Sequence, residues 1–261
     1  MFKTNTAPSE QQYAQPPPAY EAETSRPFLA QDEEDMLGTG DDMFKDTVAN
    51  SSVEVRMQFV RKVYSILTVQ ILGTTIVSSI YMFNEGIKQW VQTNPWMIFL
   101  SLFCSLGVLF ALMWKSRSTP LNYYLLALFT LSESHLVGTI TSFYDKMIVL
   151  EALIITLGVF FGLTLFTLQS KWDFSGMGPM LLVGIWTIFV GGMLLPFFPG
   201  MDVPLAIGGA IIFSGYIVFD TYLIFNRYSP EDYIMASTSL YLDMINLFLR
   251  ILQILNASQR D

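Results

Sequence analysis

The chain of 261 residues is 52% hydrophobic and 15% aromatic, only 14% of its residues are charged, and its formal net charge is −8. This composition is atypical of a soluble domain and indicates an integral membrane protein that contacts a lipid bilayer. An acidic chain also lacks the basic surface that a phosphate backbone requires, which argues against nucleic acid as a partner.

Residues 1–54 form an acidic tail that we predict to be disordered and cytosolic. The tail holds eleven acidic and three basic residues and therefore accounts for the whole net charge of −8. It has few aliphatic residues to bury, so folding would not offset the loss of chain entropy. Residues 55–261 are accordingly predicted to be the membrane domain.

The tail contains the segment Pro17-Pro18-Ala19-Tyr20, which fits the Pro-Pro-x-Tyr pattern. Such a segment forms a polyproline helix whose prolines and tyrosine dock in the aromatic groove of a WW domain. Its likeness to known ligands suggests a WW-domain ubiquitin ligase as a partner, with Pro17, Pro18 and Tyr20 as the contact residues. The alternative interpretation is a proline-rich spacer.

Seven apolar runs follow the tail, each close to the roughly 20 residues that a helix needs to cross a hydrocarbon core. They cover residues 63–83, 96–114, 121–142, 147–168, 179–198, 204–225 and 234–256. The short polar breaks between them force neighbouring helices to pack antiparallel. The sequence thus predicts an all-α fold, a seven-helix membrane bundle without a second folded domain.

The basic residues of the predicted loops favour a cytosolic amino terminus. In that orientation the cytosolic side holds seven basic residues and the opposite side three, in keeping with the positive-inside rule. The seven are Arg56, Arg61, Lys62, Lys115, Arg117, Lys171 and Arg227, and the three are Lys88, Lys146 and Arg260. Seven crossings place the carboxyl terminus on the far side, whereas a re-entrant last segment would leave six crossings and a cytosolic carboxyl terminus.

A few ionisable residues lie inside the predicted crossings, where a charge is costly and usually marks a functional pathway. These residues are Glu133, His135, Glu151, Asp220, Asp243 and Arg250. Glu133 lies deep in the third crossing, which makes it a candidate for lining a cavity. His135 is a lone histidine without metal-binding spacing, so we interpret it as a packed polar contact.

Asp220 and Asp243 lie on the last two predicted crossings, at depths that differ by roughly 8 Å at 1.5 Å per residue. Helix tilt or a late helix start would bring them together. Two neighbouring carboxyls in a low dielectric cannot both ionise readily, so we expect the pair to share a proton near neutral pH. When deprotonated, the pair offers oxygen ligands to calcium. Alternatively, each aspartate makes a separate polar contact, for instance with Asn246 or Thr221.

The last two crossings also carry most of a family resemblance. The segments are FDT at 219–221, SPEDY at 229–233 and SLYLDMINLF at 239–248, preceded by YSILTVQ at 64–70, PLN at 120–122, GLT at 162–164 and QSKWDFS at 169–175. In order and spacing they resemble the transmembrane Bax inhibitor motif family, and within it the lifeguard and Golgi anti-apoptotic branch. The likeness covers roughly residues 55–256.

The resemblance implies a seven-helix bundle with a central last helix, located in an internal membrane such as that of the endoplasmic reticulum, Golgi or vacuole. It implies a pH-sensitive calcium leak that modulates calcium homeostasis, endoplasmic reticulum stress and cell death, with cell-death regulators as candidate partners. Calcium would be a permeant or regulatory ion, and the chain would need no cofactor.

The resemblance also assigns roles to individual residues. It implies that Asp220 and Asp243 form the pH sensor and that Glu231 is an acidic loop residue of the ion pathway. Some members carry an arginine that latches the aspartate pair from the end of the second crossing. The matching position here is Ser116, so Lys115 or Arg117 would have to substitute for it.

Two other functions remain alternatives. A non-conducting scaffold could regulate cell death or the unfolded-protein response through partners, and ion flux distinguishes it from a channel. An intramembrane aspartyl protease also uses two aspartates on adjacent helices, but its Gly-x-Gly-Asp and Pro-Ala-Leu motifs are missing, since the second aspartate here stands in Tyr241-Leu242-Asp243. The sequence therefore favours a protein that is not an enzyme.

Overall fold

The computed structural model describes residues 47–198 and 200–259, and this part of the chain is all-helical. Its α-helices are α1 (Val53–Phe83), α2 (Glu85–Thr93), α3 (Trp96–Lys115), α4 (Leu121–Thr141), α5 (Lys146–Gln169), α6 (Gly178–Leu194), α7 (Asp202–Asn226) and α8 (Tyr233–Ser258). Short 3₁₀ turns are found at Val48–Asn50, Ser175–Met177 and Leu195–Phe197. The prediction of an all-α fold is confirmed.

The seven predicted apolar runs correspond to seven of these helices. All run ends except one lie within four residues of the observed helix end. That exception is α1, which begins at Val53 because the Ser52 side chain caps it and accepts the Val55 N–H at 3.4 Å. The helix therefore extends through polar turns that a hydropathy pattern leaves out. The sequence also did not predict the nine-residue α2, whose start is capped by Asn84.

Six of the described helical segments are long and apolar enough to cross a membrane, namely α1, α3, α5, the segment Ser175–Phe197 around α6, α7 and α8. The prediction of seven crossings included α4, which has 21 residues but does not belong to this set. The reason lies in its composition, because it carries a run of polar side chains at Ser132, Glu133, Ser134 and His135. The six apolar segments nevertheless show that the chain is a multi-pass membrane protein.

Helix α8 packs against α1, α4, α5 and α7. Half of its most apolar stretch is buried within the bundle, compared with 11% for the segment around α6 and 33% for α5. Its Tyr241 is fully buried and stacks edge-on against Phe129 of α4, with ring centroids 6.0 Å apart. Helix α8, which carries Asp243, therefore supplies many of the residues of the main hydrophobic core.

Ordered structure extends before the predicted domain boundary at residue 55. Thr47 and Val48 are buried, and Val48 belongs to the main hydrophobic core. An isolated apolar residue in a polar stretch gives no periodic signal, so the sequence pattern could not reveal this contact. The remainder of the predicted tail, up to residue 46, lies outside the described residues.

Candidate functional site

The structure brings the two membrane-embedded aspartates together. Asp220 of α7 is 8% exposed and Asp243 of α8 is 7% exposed. The Asp220 carboxyl lies within hydrogen-bonding range of the Asp243 carboxyl and of the Ser239 hydroxyl. Asp243 Oδ2 is buried and accepts no hydrogen bond from the described part of the chain. The pair therefore has an acceptor oxygen left over for a proton or a cation.

The connection between α7 and α8 sets the depth of this pair. Asp220 lies six residues before the end of α7 and Asp243 ten residues after the start of α8. At 1.5 Å per residue, the difference corresponds to about 6 Å, so the two helices are staggered by that amount where the carboxyls meet. We call the side of the bundle that holds residues 227–232 the loop face.

Tyr228 lies in this loop, close to the aspartate pair. Its hydroxyl is within hydrogen-bonding range of Ser239, which also reaches Asp220. Burial, and secondarily the nearby charge of Asp220, raises the pKa of Tyr228 to about 12. Tyr228 is therefore neutral at physiological pH and brings an uncharged ring close to the carboxyls.

Residues 47–51, which we call the plug, hold this loop in place. The Val48 N–H donates to the Tyr228 carbonyl at 2.8 Å, and the Val48 side chain is 0% exposed. Arg56 of α1 binds the plug from the other side, with Nη2 donating to the Ala49 carbonyl at 2.6 Å and Nε to the Val48 carbonyl at 3.4 Å. The plug is thus attached both to α1 and to the loop that carries Tyr228.

Four residues belong to the site although no sequence pattern predicted them there, namely Val48, Arg56, Tyr228 and Ser239. The helix-capping residue Ser52, with Glu54 in the first turn of α1, is the signal that would have moved the ordered region toward the amino terminus. No local pattern marks the pairing of Val48 with Tyr228, since 180 residues separate them.

Glu231 and Arg117, one of the two predicted latch residues, lie close together at the loop face rather than at the carboxyls. Arg117 binds Asp232 through two hydrogen bonds, Nε to Oδ1 at 2.8 Å and Nη2 to Oδ2 at 3.0 Å. Its Nη1 lies 4.0 Å from Glu231, which is exposed. Because Asp232 bonds it, the pKa of Arg117 is raised. Lys115 is exposed at the end of α3. A role of either residue as a latch stays a prediction.

Glu133 lies apart from the aspartate pair, between α4 and α3. It is 7% exposed, and the Ser105 hydroxyl donates to its Oε1. His135, two residues further on, contacts the Ser101 hydroxyl through Nδ1 at 2.8 Å. The interpretation of His135 as a packed polar contact agrees with this arrangement, whereas Glu133 is bonded to a neighbouring helix and not to Asp220 or Asp243.

The acidic residues do not form a conventional calcium site. Within residues 47–198 and 200–259, no group of three or more His, Cys, Asp or Glu side chains is close enough to hold a metal ion. Calcium usually takes six to eight oxygen ligands, and two carboxyls supply only part of that number. The arrangement of Asp220 and Asp243 therefore fits a passing or weakly held cation better than a resident one.

Known proteins match almost the whole chain. Residues 56–260 match the model of the family described as Inhibitor of apoptosis-promoting Bax1. Bax inhibitor 1 of Schizosaccharomyces pombe is 45% identical over 263 residues, which cover 97% of this chain and 94% of that protein. The family match at residues 56–260 includes both aspartates.

Two further relatives belong to animals and viruses. Protein lifeguard 4 of Mus musculus is 45% identical over 212 residues, covering 80% of this chain and 89% of that protein. Golgi anti-apoptotic protein of Vaccinia virus (strain Lister) is 41% identical over 219 residues, covering 83% of this chain and 92% of that protein. The family model begins at residue 56, so the Pro17, Pro18 and Tyr20 motif lies outside the region that it matches and also outside the described residues.

Proposed function

The chain belongs to the Bax inhibitor family, and from this premise we propose that it is a pH-sensitive calcium leak channel of an internal membrane that restrains cell death. The names of two relatives, Bax inhibitor 1 and Golgi anti-apoptotic protein, support the role in cell death and the internal membrane. One observation carries the channel proposal, namely the two buried carboxyls of Asp220 and Asp243 in contact inside the bundle.

The proposed topology has seven crossings, a cytosolic amino terminus and α8 at the centre. Helix α4 is the seventh crossing, supported by its 21 residues and by its packing against α1 and α3. Its polar side chains bond to neighbouring helices, as in the contact of Glu133 with Ser105, and are thereby shielded from lipid. The loop face is then cytosolic, which agrees with the excess of basic residues on that side.

The proposed mechanism starts from the charge of the pair. A divalent cation enters a low-dielectric bundle only if fixed negative charge compensates for the hydration free energy that the cation loses. Ionised Asp220 and Asp243 supply that charge, and protonation removes it. The titratable groups that face the pair from α7 and the loop are the tyrosines Tyr216 and Tyr228, which stay neutral in the same pH range. The carboxyls are therefore the groups that make flux depend on pH.

The plug and Tyr228 are proposed to close the pathway at the loop face. Val48 is held by its side chain in the core and by its hydrogen bond to Tyr228, and Arg56 ties the plug to α1. Detachment of the plug would release the loop that carries Tyr228. In this proposal the acidic tail is connected directly to the gate, because residue 46 immediately precedes the plug.

We expect the purified full-length protein in liposomes to pass calcium, with a flux that falls as pH decreases from about 8 to 5. The reason is the sign of the charge, since acid neutralises the carboxyls that attract the cation. The measurement is calcium release from dye-loaded liposomes over a pH series, with empty liposomes as the control. Flux equal to that of empty liposomes at every pH would support a non-conducting scaffold instead.

The tail is proposed to bind a WW-domain ubiquitin ligase through Pro17, Pro18 and Tyr20. Tyr20→Ala is expected to reduce binding of a purified WW domain at least about tenfold, because the tyrosine fills one of the aromatic pockets that give such motifs their affinity. Fluorescence anisotropy with a tail peptide measures the binding, and Tyr13→Ala, which changes a tyrosine outside the motif, is the matched control. Equal loss in both variants would leave the segment as a spacer.

A further inference from the structure

A second polar cavity of about 390 Å³ opens at the loop face, beside but separate from the aspartate pair. It lies between the ends of α5 and α7 and the start of α1. Its lining includes Arg56, Lys171, Asp173, Thr221 and Asn226. The volume falls in the range of sites that bind small molecules and exceeds the space that a structural water needs.

The charges at this cavity favour an anion. Asp173 is the one acid among its lining residues, and its carboxylate already accepts the Ser175 N–H at 2.8 Å. Hydrogen bonding by the Ser175 hydroxyl and then by its backbone N–H, with smaller contributions from Tyr222 and the nearby Arg227, lowers the pKa of Asp173 to about 2. Asp173 therefore stays an exposed carboxylate and contributes one negative charge at the cavity. Arg56 and Lys171 leave the cavity with a net positive charge.

The remaining walls supply neutral hydrogen-bonding groups. Thr221 is 0% exposed, and its Oγ1 lies near the Tyr64 hydroxyl without a well-aligned hydrogen bond to it. The Asn226 amide nitrogen is used by the Tyr222 carbonyl, which leaves its oxygen at the cavity. A ligand that combines a strong anion with hydroxyl groups satisfies both kinds of wall.

The position of the cavity at the membrane surface narrows the ligand class further. Trp172, which also lines it, is 73% exposed at the end of the α5 crossing, where tryptophan commonly marks the level of the lipid head groups. Basic cavities between membrane helices on the cytosolic side bind phosphorylated lipid head groups. We propose that this cavity binds a phosphate monoester on a polyol, such as a phosphorylated inositol, through Arg56 and Lys171.

The site has a structural connection to the plug. Arg56 both lines the cavity and donates hydrogen bonds to the carbonyls of Val48 and Ala49. A bound phosphate competes for the same guanidinium, so it changes the contact that holds residues 47–51. The binding site itself does not depend on calcium conduction, and a binding assay can fail or succeed independently of the flux assay.

The test uses the full-length protein in phosphatidylcholine nanodiscs and compares Lys171→Gln with the wild type. The probes are inorganic phosphate, soluble inositol trisphosphate, and nanodiscs that contain a few per cent phosphatidylinositol bisphosphate. We expect Lys171→Gln to weaken binding of the inositol phosphate about tenfold, as for loss of one charge-assisted hydrogen bond. Lys171→Arg is expected to restore it. Calorimetry measures the soluble ligands and native mass spectrometry the lipid.

Lys115→Gln is the matched control, since Lys115 is an exposed lysine on the same face that does not line the cavity. It is expected to change affinity less than about twofold. If both the soluble and the lipid inositol phosphates bind, the head group alone is recognised. If the lipid binds and the soluble inositol phosphate does not, the ligand comes from the membrane. The proposal is overturned if none of the probes binds, or if Lys115→Gln weakens binding as much as Lys171→Gln does.

Discussion

Asp243→Ala is expected to reduce calcium flux in the liposome assay at least about tenfold, to the level of empty liposomes. Asp243 is 7% exposed, and its Oδ2 accepts no hydrogen bond from the described residues, so it is the oxygen most available to a passing cation. A charge at the centre of a bilayer costs about 2.5–3.5 kcal/mol on insertion scales. Loss of even half of the compensating interaction slows passage tenfold, since about 1.4 kcal/mol corresponds to that factor.

Glu151→Ala is the control for this experiment. Glu151 is also a carboxyl within a membrane helix, α5, but it is exposed on the outside of the bundle. Its loss is expected to leave flux unchanged. The contrary result is an Asp243→Ala variant that conducts calcium as fast as the wild type and keeps its size-exclusion profile and melting temperature. That result would show that the aspartate pair lies outside the pathway.

Asp220→Asn tests the coupling within the same pair. The amide keeps the shape of the side chain but carries no charge, so Asp243 no longer faces a second carboxylate. We expect flux to persist at acidic pH values at which the wild-type flux has fallen. An unchanged pH profile for Asp220→Asn would place the proton sensor elsewhere in the chain.

Two features of the site could be predicted from the sequence. They are the positions of its apolar helices and the contact between residues on consecutive helices. Long apolar runs predict where helices lie, because a crossing needs a nearly fixed number of apolar residues. Asp220 and Asp243 stand on consecutive helices with a short loop, so their meeting follows from antiparallel packing. Helix α4 was also predicted within one residue at each end, although the polar side chains from Ser132 to His135 make its most apolar stretch less apolar than those of the other long helices.

Contacts between distant or isolated residues could not be predicted. Arg117 finds Asp232 across 115 positions of sequence, and nothing local in either segment specifies the other. The same holds for Val48, a single apolar residue in a polar stretch. The tail predicted to be disordered, residues 1–54, included it. Such contacts are decided by tertiary packing around α8, which no periodicity of the sequence reports.

Val48→Asp is expected to raise calcium flux severalfold at a fixed pH. The Val48 side chain is 0% exposed in the main hydrophobic core, where an aspartate would lose its hydration among apolar side chains. Burial of a valine contributes about 1.5–3 kcal/mol, so its loss increases the population of the detached plug roughly tenfold or more. The bundle itself should keep its fold, because terminal segments open locally without global unfolding.

Val53→Asp is the control that distinguishes an effect of plug detachment from an effect of the added negative charge. Val53 is five residues away in the chain and 74% exposed, so an aspartate there stays in water and leaves the plug attached. It is expected to leave flux unchanged, whereas Arg56→Ala, which removes both hydrogen bonds to the plug carbonyls, should resemble Val48→Asp. If Val48→Asp conducts like the wild type at every pH, then residues 47–51 do not close the pathway, and Tyr228 alone must separate the carboxyls from the loop face.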